Sequence, residues 1–159
     1  ERASPAQAEA ALTGLRGTIV AAARSRYASV VLEKAIHVSG RAAAECVATE
    51  LLGNGRAMAF NSGGSGVVRA LLEHAAGASR VVELTDELLG EDLAALCCHK
   101  YGHRVAEAVL SNGSVRQRSA VVATLRGDPV RFGKHRFAAA VLQQVLLQGA
   151  PAECRSLAQ

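Results

Sequence analysis

The chain has 159 residues, is 50% hydrophobic and only 3% aromatic, lacks tryptophan, and carries a formal charge of +4. A core drawn from Ala, Val and Leu suits closely stacked helices, and the mild positive charge favours an anionic partner without naming one. No apolar run approaches the roughly 18 residues that span a bilayer and no signal peptide is visible, so no membrane role is expected.

Glycines divide the chain at a nearly fixed period. Gly17, Gly53, Gly90 and Gly127 form one series, and Gly40, Gly77, Gly113 and Gly149 another, with steps of 36 or 37 residues. A glycine past a helix end takes the left-handed conformation without a Cβ penalty, so periodic glycines mark periodic helix ends. A period in this range signals a solenoid or array. Residues 4–17 (SPAQAEAALTGLRG) align without a gap on residues 114–127 (SVRQRSAVVATLRG). The chain therefore opens, over 1–16, in the third helix of a repeat whose first two helices are missing.

Four repeats follow, over 17–53, 54–90, 91–127 and 128–159, making one array across 1–159. In the first, GTIVAAARS leads to a second helix, and GRAAAECVATELLG forms the third. The second repeat starts with a weak helix, and its NSGGSG stretch at 61–66 is expected to fray, since each interior glycine costs about 1 kcal/mol. The third repeat opens on Glu91 and Asp92, well placed for a helix N-terminus. The fourth opens on Asp128-Pro129, a cap followed by Pro at the first helical position. Its last helix, residues 150–159, stops short of the position matching Gly127. Both ends read as cut, and the chain as a piece of a longer array. Leu12, Leu15 and Val145 are then expected to be underpacked and to favour self-association.

The middle helix of each repeat carries the strongest pattern. The segments are 27–36 (YASVVLEKAI), 63–72 (GGSGVVRALL), 101–110 (YGHRVAEAVL) and 137–146 (FAAAVLQQVL). Apolar residues share columns in all four: Val31, Leu32, Ala35, Ile36; Val67, Val68, Leu71, Leu72; Val105, Ala106, Val109, Leu110; and Val141, Leu142, Val145, Leu146. Such a stripe is one buried face of a helix. A second set of columns varies, as if one scaffold presented four different contacts.

An aromatic-G/A-S-x-V-V-E-K-x-L middle helix in a three-helix repeat of about 36 residues resembles the Pumilio (PUF) repeat. The best matches are YASVVLEKAI, and KYGHRVAEAVL followed by GSVRQRSAVVATLRG. The resemblance covers nearly the whole chain and implies an all-α fold: a right-handed superhelical solenoid (α-α superhelix) with middle helices lining a concave face. It also implies binding of single-stranded RNA there, one base per repeat. The implied edge readers are Ser29 with Glu33, Ser65 with Arg69, His103 with Glu107, and Ala139 with Gln143. The implied stacking positions are Val30, Gly66, Arg104 and Ala140.

The residue types suit that task. Spacing i, i+4 puts both readers of a pair on one helix face. A carboxylate accepts, a guanidinium donates, and an amide does both. By the family's code Ser with Glu implies guanine, Ser with Arg cytosine, and Ala with Gln adenine before uracil; His with Glu matches no usual pair. With RNA running antiparallel, the implied site is 5′-A-N-C-G-3′. Among the stacking positions only Arg104 is a residue the family uses. Basic residues before the middle helices are candidate phosphate contacts: Arg24, Arg26, His99, Lys100, Lys134, His135 and Arg136. The second repeat lacks them.

The plain alternative is that Glu33, Arg69, Glu107 and Gln143 are solvated residues on an exposed face, with Arg69 paired to Glu73 at i+4. Nothing in the sequence assembles a catalytic set, so a binding module rather than an enzyme is expected. No cofactor is implied. The five histidines lack metal spacing, and Cys46, Cys97, Cys98 and Cys154 read as reduced cysteines in or near helix cores. The first functional expectation is sequence-selective single-stranded RNA binding in post-transcriptional regulation of mRNA, in the cytoplasm, with the nucleus or nucleolus as alternatives. Protein partners would sit on the convex face. The second is a helical-repeat scaffold, or a divergent PUF-like ribonucleoprotein subunit without a base code.

Overall fold

The computed structural model describes residues 4–90 and 92–148. Among them are twelve helices and no strand. Helix α1 (Pro5–Leu15) stands alone, and the rest recur in threes. A short first helix is α2 (Ile19–Arg24), α5 (Gly55–Ala59), α8 (Leu93–Cys97) or α11 (Pro129–Lys134). The middle helices are α3 (Ala28–Ser39), α6 (Ser62–Ala75), α9 (Gly102–Asn112) and α12 (Ala138–Gln148), and the third helices are α4 (Arg41–Leu51), α7 (Ser79–Leu89) and α10 (Val115–Arg126). No helix among the described residues is long and apolar enough to cross a membrane.

Local chemistry sets the helix ends. Ser4 and Ser114 each build a capping box with the glutamine three residues on, as the alignment of α1 with α10 requires. Asp92 caps α8 and Asp128 caps α11, where Pro129 takes the first turn; Glu91 lies outside the described residues. Helices α2 and α5 lack a side-chain cap of their own. Their free amides are satisfied from the third helix of the same repeat. Glu50 accepts from the N–H groups of Gly17 and Ile19, and Glu87 from those of Gly53 and Gly55. The periodic glycines lie at or next to helix ends, but among the described residues only Gly17, Gly40 and Gly53 have positive φ. Gly90 and Gly127 stay right-handed, so at those ends glycine is not required by backbone conformation.

Repeats stack in register. The middle helices form one row, α3 on α6 on α9 on α12, and the third helices another, α4 on α7 on α10. Between the rows lies a continuous core of Leu, Val, Ile and Ala, with Leu32, Ile36, Leu71, Leu72 and Leu125 essentially sealed from solvent. Each such side chain stabilises by about 1.5–3 kcal/mol relative to exposure. Because a repeat buries its apolar face only against its neighbours, stability is shared along the stack.

The apolar columns are buried with a few exceptions. Val31 is 46% exposed and Leu146 51% exposed, while Leu142 is half-buried. The equivalents of Val31 are covered where α6, α9 and α12 pack on the middle helix before them, and α3 has only α1 before it. Residues 149–159, the expected last helix of the fourth repeat and Cys154 among them, lie outside the described residues. The expectation that Leu12 and Val145 are underpacked is overturned: both are buried, Leu12 because α1 packs on α3. Leu15 is half-buried.

The expected fraying at 61–66 is also overturned. Helix α6 runs from Ser62 and is the longest of the described helices. Asn61 accepts from the N–H groups of Gly63 and Gly64, and the glycines let α6 approach its neighbours closely. A Cβ on Gly63 would lie 2.6 Å from the Ala23 carbonyl oxygen, and one on Gly64 would lie 2.6 Å from that of Met58. Packing at these contacts outweighs the entropy cost of glycine. Of the cysteines, Cys97 is buried and Cys46 and Cys98 half-buried, all as free thiols. Burial, helped by Cys98, pushes the Cys97 thiol up to about 12, so it stays protonated.

Candidate nucleic-acid interface

The four varied triplets lie on successive turns of the middle-helix row, so they form one surface. Their accessibility differs. Ser29 and Ser65 are buried, and their hydroxyls donate to the carbonyls of Arg26 (3.5 Å) and Ser62 (3.2 Å). At these two repeats the groups left for a ligand's edge are therefore Glu33 and Arg69. Glu107 is half-buried and Gln143 exposed, with Ala139 half-buried beside it. Of the stacking positions, Val30 is 59% exposed, Arg104 is exposed, and Ala140 is half-buried. Gly66 is half-buried, and a Cβ there would meet the Glu33 carboxylate of the previous repeat.

A cavity of about 480 Å³ spans α6, α9 and the start of α12. Arg69, Lys100, Arg104 and Arg136 bring positive charge to it, and Tyr101, His103 and Phe137 bring rings. The His103 and Phe137 rings stack with centroids 4.9 Å apart and planes 21° apart. His103 Nδ1 donates to the His99 carbonyl at 2.9 Å, which leaves Nε2 as the atom presented outward. The middle-helix aromatics also carry cations. Arg26 lies over Tyr27, Lys100 over Tyr101 and Arg136 over Phe137, at 5.9, 5.3 and 5.4 Å from the ring centroids. The second repeat, with Ser62-Gly63, has no such pair. These ring–cation pairs were visible in the sequence as a basic residue directly before each aromatic, a signal the base-reading columns overlook.

The basic candidates divide by role. Arg24, Arg26, Lys100, Lys134 and Arg136 are exposed at the entrances to the middle helices. His99 and His135 do something else. His99 Nδ1 accepts from the N–H groups of Tyr101 and Gly102, and His135 Nδ1 from those of Phe137 and Ala138. Ser25 and Asn61 hold the same place before α3 and α6 and also accept from backbone amides. Ser, Asn, His, His is thus one periodic cap. An accepting Nδ1 requires a neutral ring, so neither imidazole brings a positive charge to phosphate while it caps. Burial, with His103 adding to it, lowers the His99 pKa and favours that neutral form.

A second cavity, of about 340 Å³, lies between α3 and α6. Glu33, Arg69 and Glu73 share it, and Arg69 meets Glu73 at 3.8 Å, the i+4 pairing the sequence allowed. At its far end His37 and His74, 37 residues apart, come together with ring nitrogens 3.3 Å apart. Among the described residues no group of three potential ligands gathers to hold a metal.

No family model matches the chain, and no curated protein matches its sequence. Its structure is similar to solved PUF domains. With PUF-8 in complex with PBE-RNA the TM-score is 0.87 at 22% identity, over 98% of this chain and 45% of that one. With the Puf3 RNA binding domain bound to a Cox17 RNA 3′ UTR recognition sequence it is 0.87 at 15% identity, over 98% and 45%. With the Puf4 RNA binding domain bound to the HO endonuclease RNA 3′ UTR recognition sequence it is 0.85 at 14% identity, over 96% and 47%. The fold is therefore the Pumilio-type helical-repeat solenoid, right-handed and all-α. The chain spans less than half the length of each of these structures.

Proposed function

We propose that this protein binds single-stranded RNA along its middle-helix face and selects sequence through the side chains that the repeats, read as 17–53, 54–90, 91–127 and 128–159, present there. The observation that carries this reading is the 480 Å³ cavity in which Arg69, Lys100, Arg104 and Arg136 converge with Tyr101, His103 and Phe137. Cations neutralise phosphate and rings offer faces to bases, the two ingredients of single-strand binding. The RNA-bound state of the similar PUF structures supports it. The proposed site is 5′-A-N-C-G-3′, with Gln143 facing the adenine, His103 and Glu107 the unassigned base, Arg69 the cytosine and Glu33 the guanine. The role is post-transcriptional regulation of mRNA in the cytoplasm, with protein partners on the opposite, convex face.

One observation favours a second reading, a helical scaffold or ribonucleoprotein subunit without a base code. The stacking row offers little surface: Gly66 has no side chain and Ala140 is a single methyl group. Unbiased selection from a random single-stranded RNA pool separates the two. Enrichment of a short motif related to A-N-C-G supports base reading. Retention of RNA with no motif, or of none, supports the second.

A further inference from the structure

The reading of four independent base contacts treats Glu33 and Arg69 as separate instruments on separate repeats. Their geometry is not separate. A Cβ built on Gly66 would overlap Glu33 Oε1 and stand 3.1 Å from its carboxyl carbon. The Glu33 carboxylate therefore lies across the gap between α3 and α6, against the backbone of the next repeat. Gly66 is the residue that makes room for it; any side chain there would collide with the carboxylate. The slot where a stacking residue would stand in the second repeat is thus a seat for the first repeat's acid.

That seat places the acid beside the next reader. Arg69 follows Gly66 by three residues, so it leaves α6 on the side where Gly66 lies, and both line the cavity that holds Glu33. Arg69 shares that cavity with two carboxylates, Glu33 from α3 and Glu73 one turn on, and meets Glu73 at 3.8 Å. The charged and titratable groups that share this cavity with Glu33 are Lys34 and His37 from its own helix, and Arg69, Glu73 and His74 from α6. Burial is the largest influence on Glu33 and raises its pKa, while Arg69 draws it down and Glu73 raises it again. Removing the Arg69 charge therefore changes the protonation of Glu33.

We propose that Glu33 and Arg69 form one reading unit seated by Gly66 across the first and second repeats, so that two neighbouring bases are recognised together rather than one at a time. The unit presents an acceptor edge and a donor fork side by side, the complement of a guanine edge beside a cytosine edge. It rests on the RNA-binding reading above. It departs from that reading's independence of repeats: the C-G step becomes a single recognised element.

Two experiments on the intact chain test it. Carboxyl NMR titration without RNA follows Glu33 in the wild type, Arg69→Gln and Gly66→Ala. The unit requires a Glu33 midpoint above the ordinary carboxylate range, moved further up by Arg69→Gln and back toward ordinary by Gly66→Ala, which displaces the carboxylate into solvent. A midpoint indifferent to both changes overturns it. Circular dichroism of each variant establishes that it is folded. The second experiment measures binding to sixteen RNAs covering every dinucleotide at the C-G step, in the wild type, Glu33→Gln, Arg69→Gln and the double variant. The expected result is that Arg69→Gln alters base preference at the position facing Glu33 by about threefold or more, and that the single effects do not multiply in the double variant. Effects confined to each residue's own position overturn the unit while leaving base reading intact. Equal wild-type affinity for all sixteen overturns base reading itself, and the unit with it.

Discussion

His99 Nδ1 accepts the backbone N–H of Gly102 at 3.2 Å, so an imidazole does at the start of α9 what Asn61 does at the start of α6. The cap holds only while the ring is neutral. The His99 pKa is lowered in the folded chain, first by burial and then by His103. As pH falls through the ordinary histidine value near 6.5, the unfolded chain takes up a proton that the folded chain resists. This part of the stability is present above that pH and is lost below it. Urea denaturation at pH 7.5 and 5.5 is expected to show lower stability at 5.5, and His99→Asn, which caps without titrating, is expected to remove part of the difference.

Two glycines are expected to respond oppositely to alanine. Gly14, inside α1, has open space where a Cβ would stand, with nothing within 4 Å, so Gly14→Ala should stabilise by about 0.5–1 kcal/mol through helix propensity. A Cβ on Gly64 would sit 2.6 Å from the Met58 carbonyl oxygen and 2.8 Å from its Cα. Backbone cannot give way as a flexible side chain does, so Gly64→Ala should destabilise by about 1–3 kcal/mol despite its better propensity. Thermal unfolding of both variants decides the signs.

Asn61→Ala removes the acceptor for Gly63 and Gly64 at the start of a glycine-rich turn. A loss of about 1 kcal/mol is expected, and faster amide exchange over residues 63–66 should accompany it.

Arg69→Glu is expected to move preference at the base facing the second repeat from cytosine toward guanine, with discrimination of about 1–3 kcal/mol. Arg24 is exposed before α3 and touches no reading position, so Arg24→Ala should weaken all RNAs alike and lower the salt dependence. Titrations against four RNAs differing at that one base, at two salt concentrations, distinguish the two behaviours.

With no side chain at Gly66 and a methyl group at Ala140, stacking is expected to contribute little, and the chain by itself to bind a four- or five-nucleotide RNA with micromolar or weaker affinity, on the order of 8 kcal/mol or less. Fluorescence anisotropy checks this; nanomolar binding would show that another surface, such as the Tyr101 and Phe137 rings, does the stacking.

The repeat period, the helical class, the buried columns and the helix starts at Asp92 and Asp128 were legible in the sequence because each is set by residues a few positions apart, and four copies repeat the same helical signal. Asp128 with Pro129 needed no knowledge of the rest of the chain. What packing decided at Gly63, at Gly66 and at the His37–His74 pair lies between repeats, at separations of about 36 residues. The sequence shows Gly63, Gly64 and Gly66 only as helix-weakening residues; the stacked structure makes them the places where α6 closes on Ala23, Met58 and Glu33. It likewise joins His37 to His74, while His99 and His135 cap through amides two and three residues on. Local propensity is fixed by neighbours along the chain, whereas the room for a Cβ and the charge state of an imidazole are fixed by whatever the fold brings within about 3 Å.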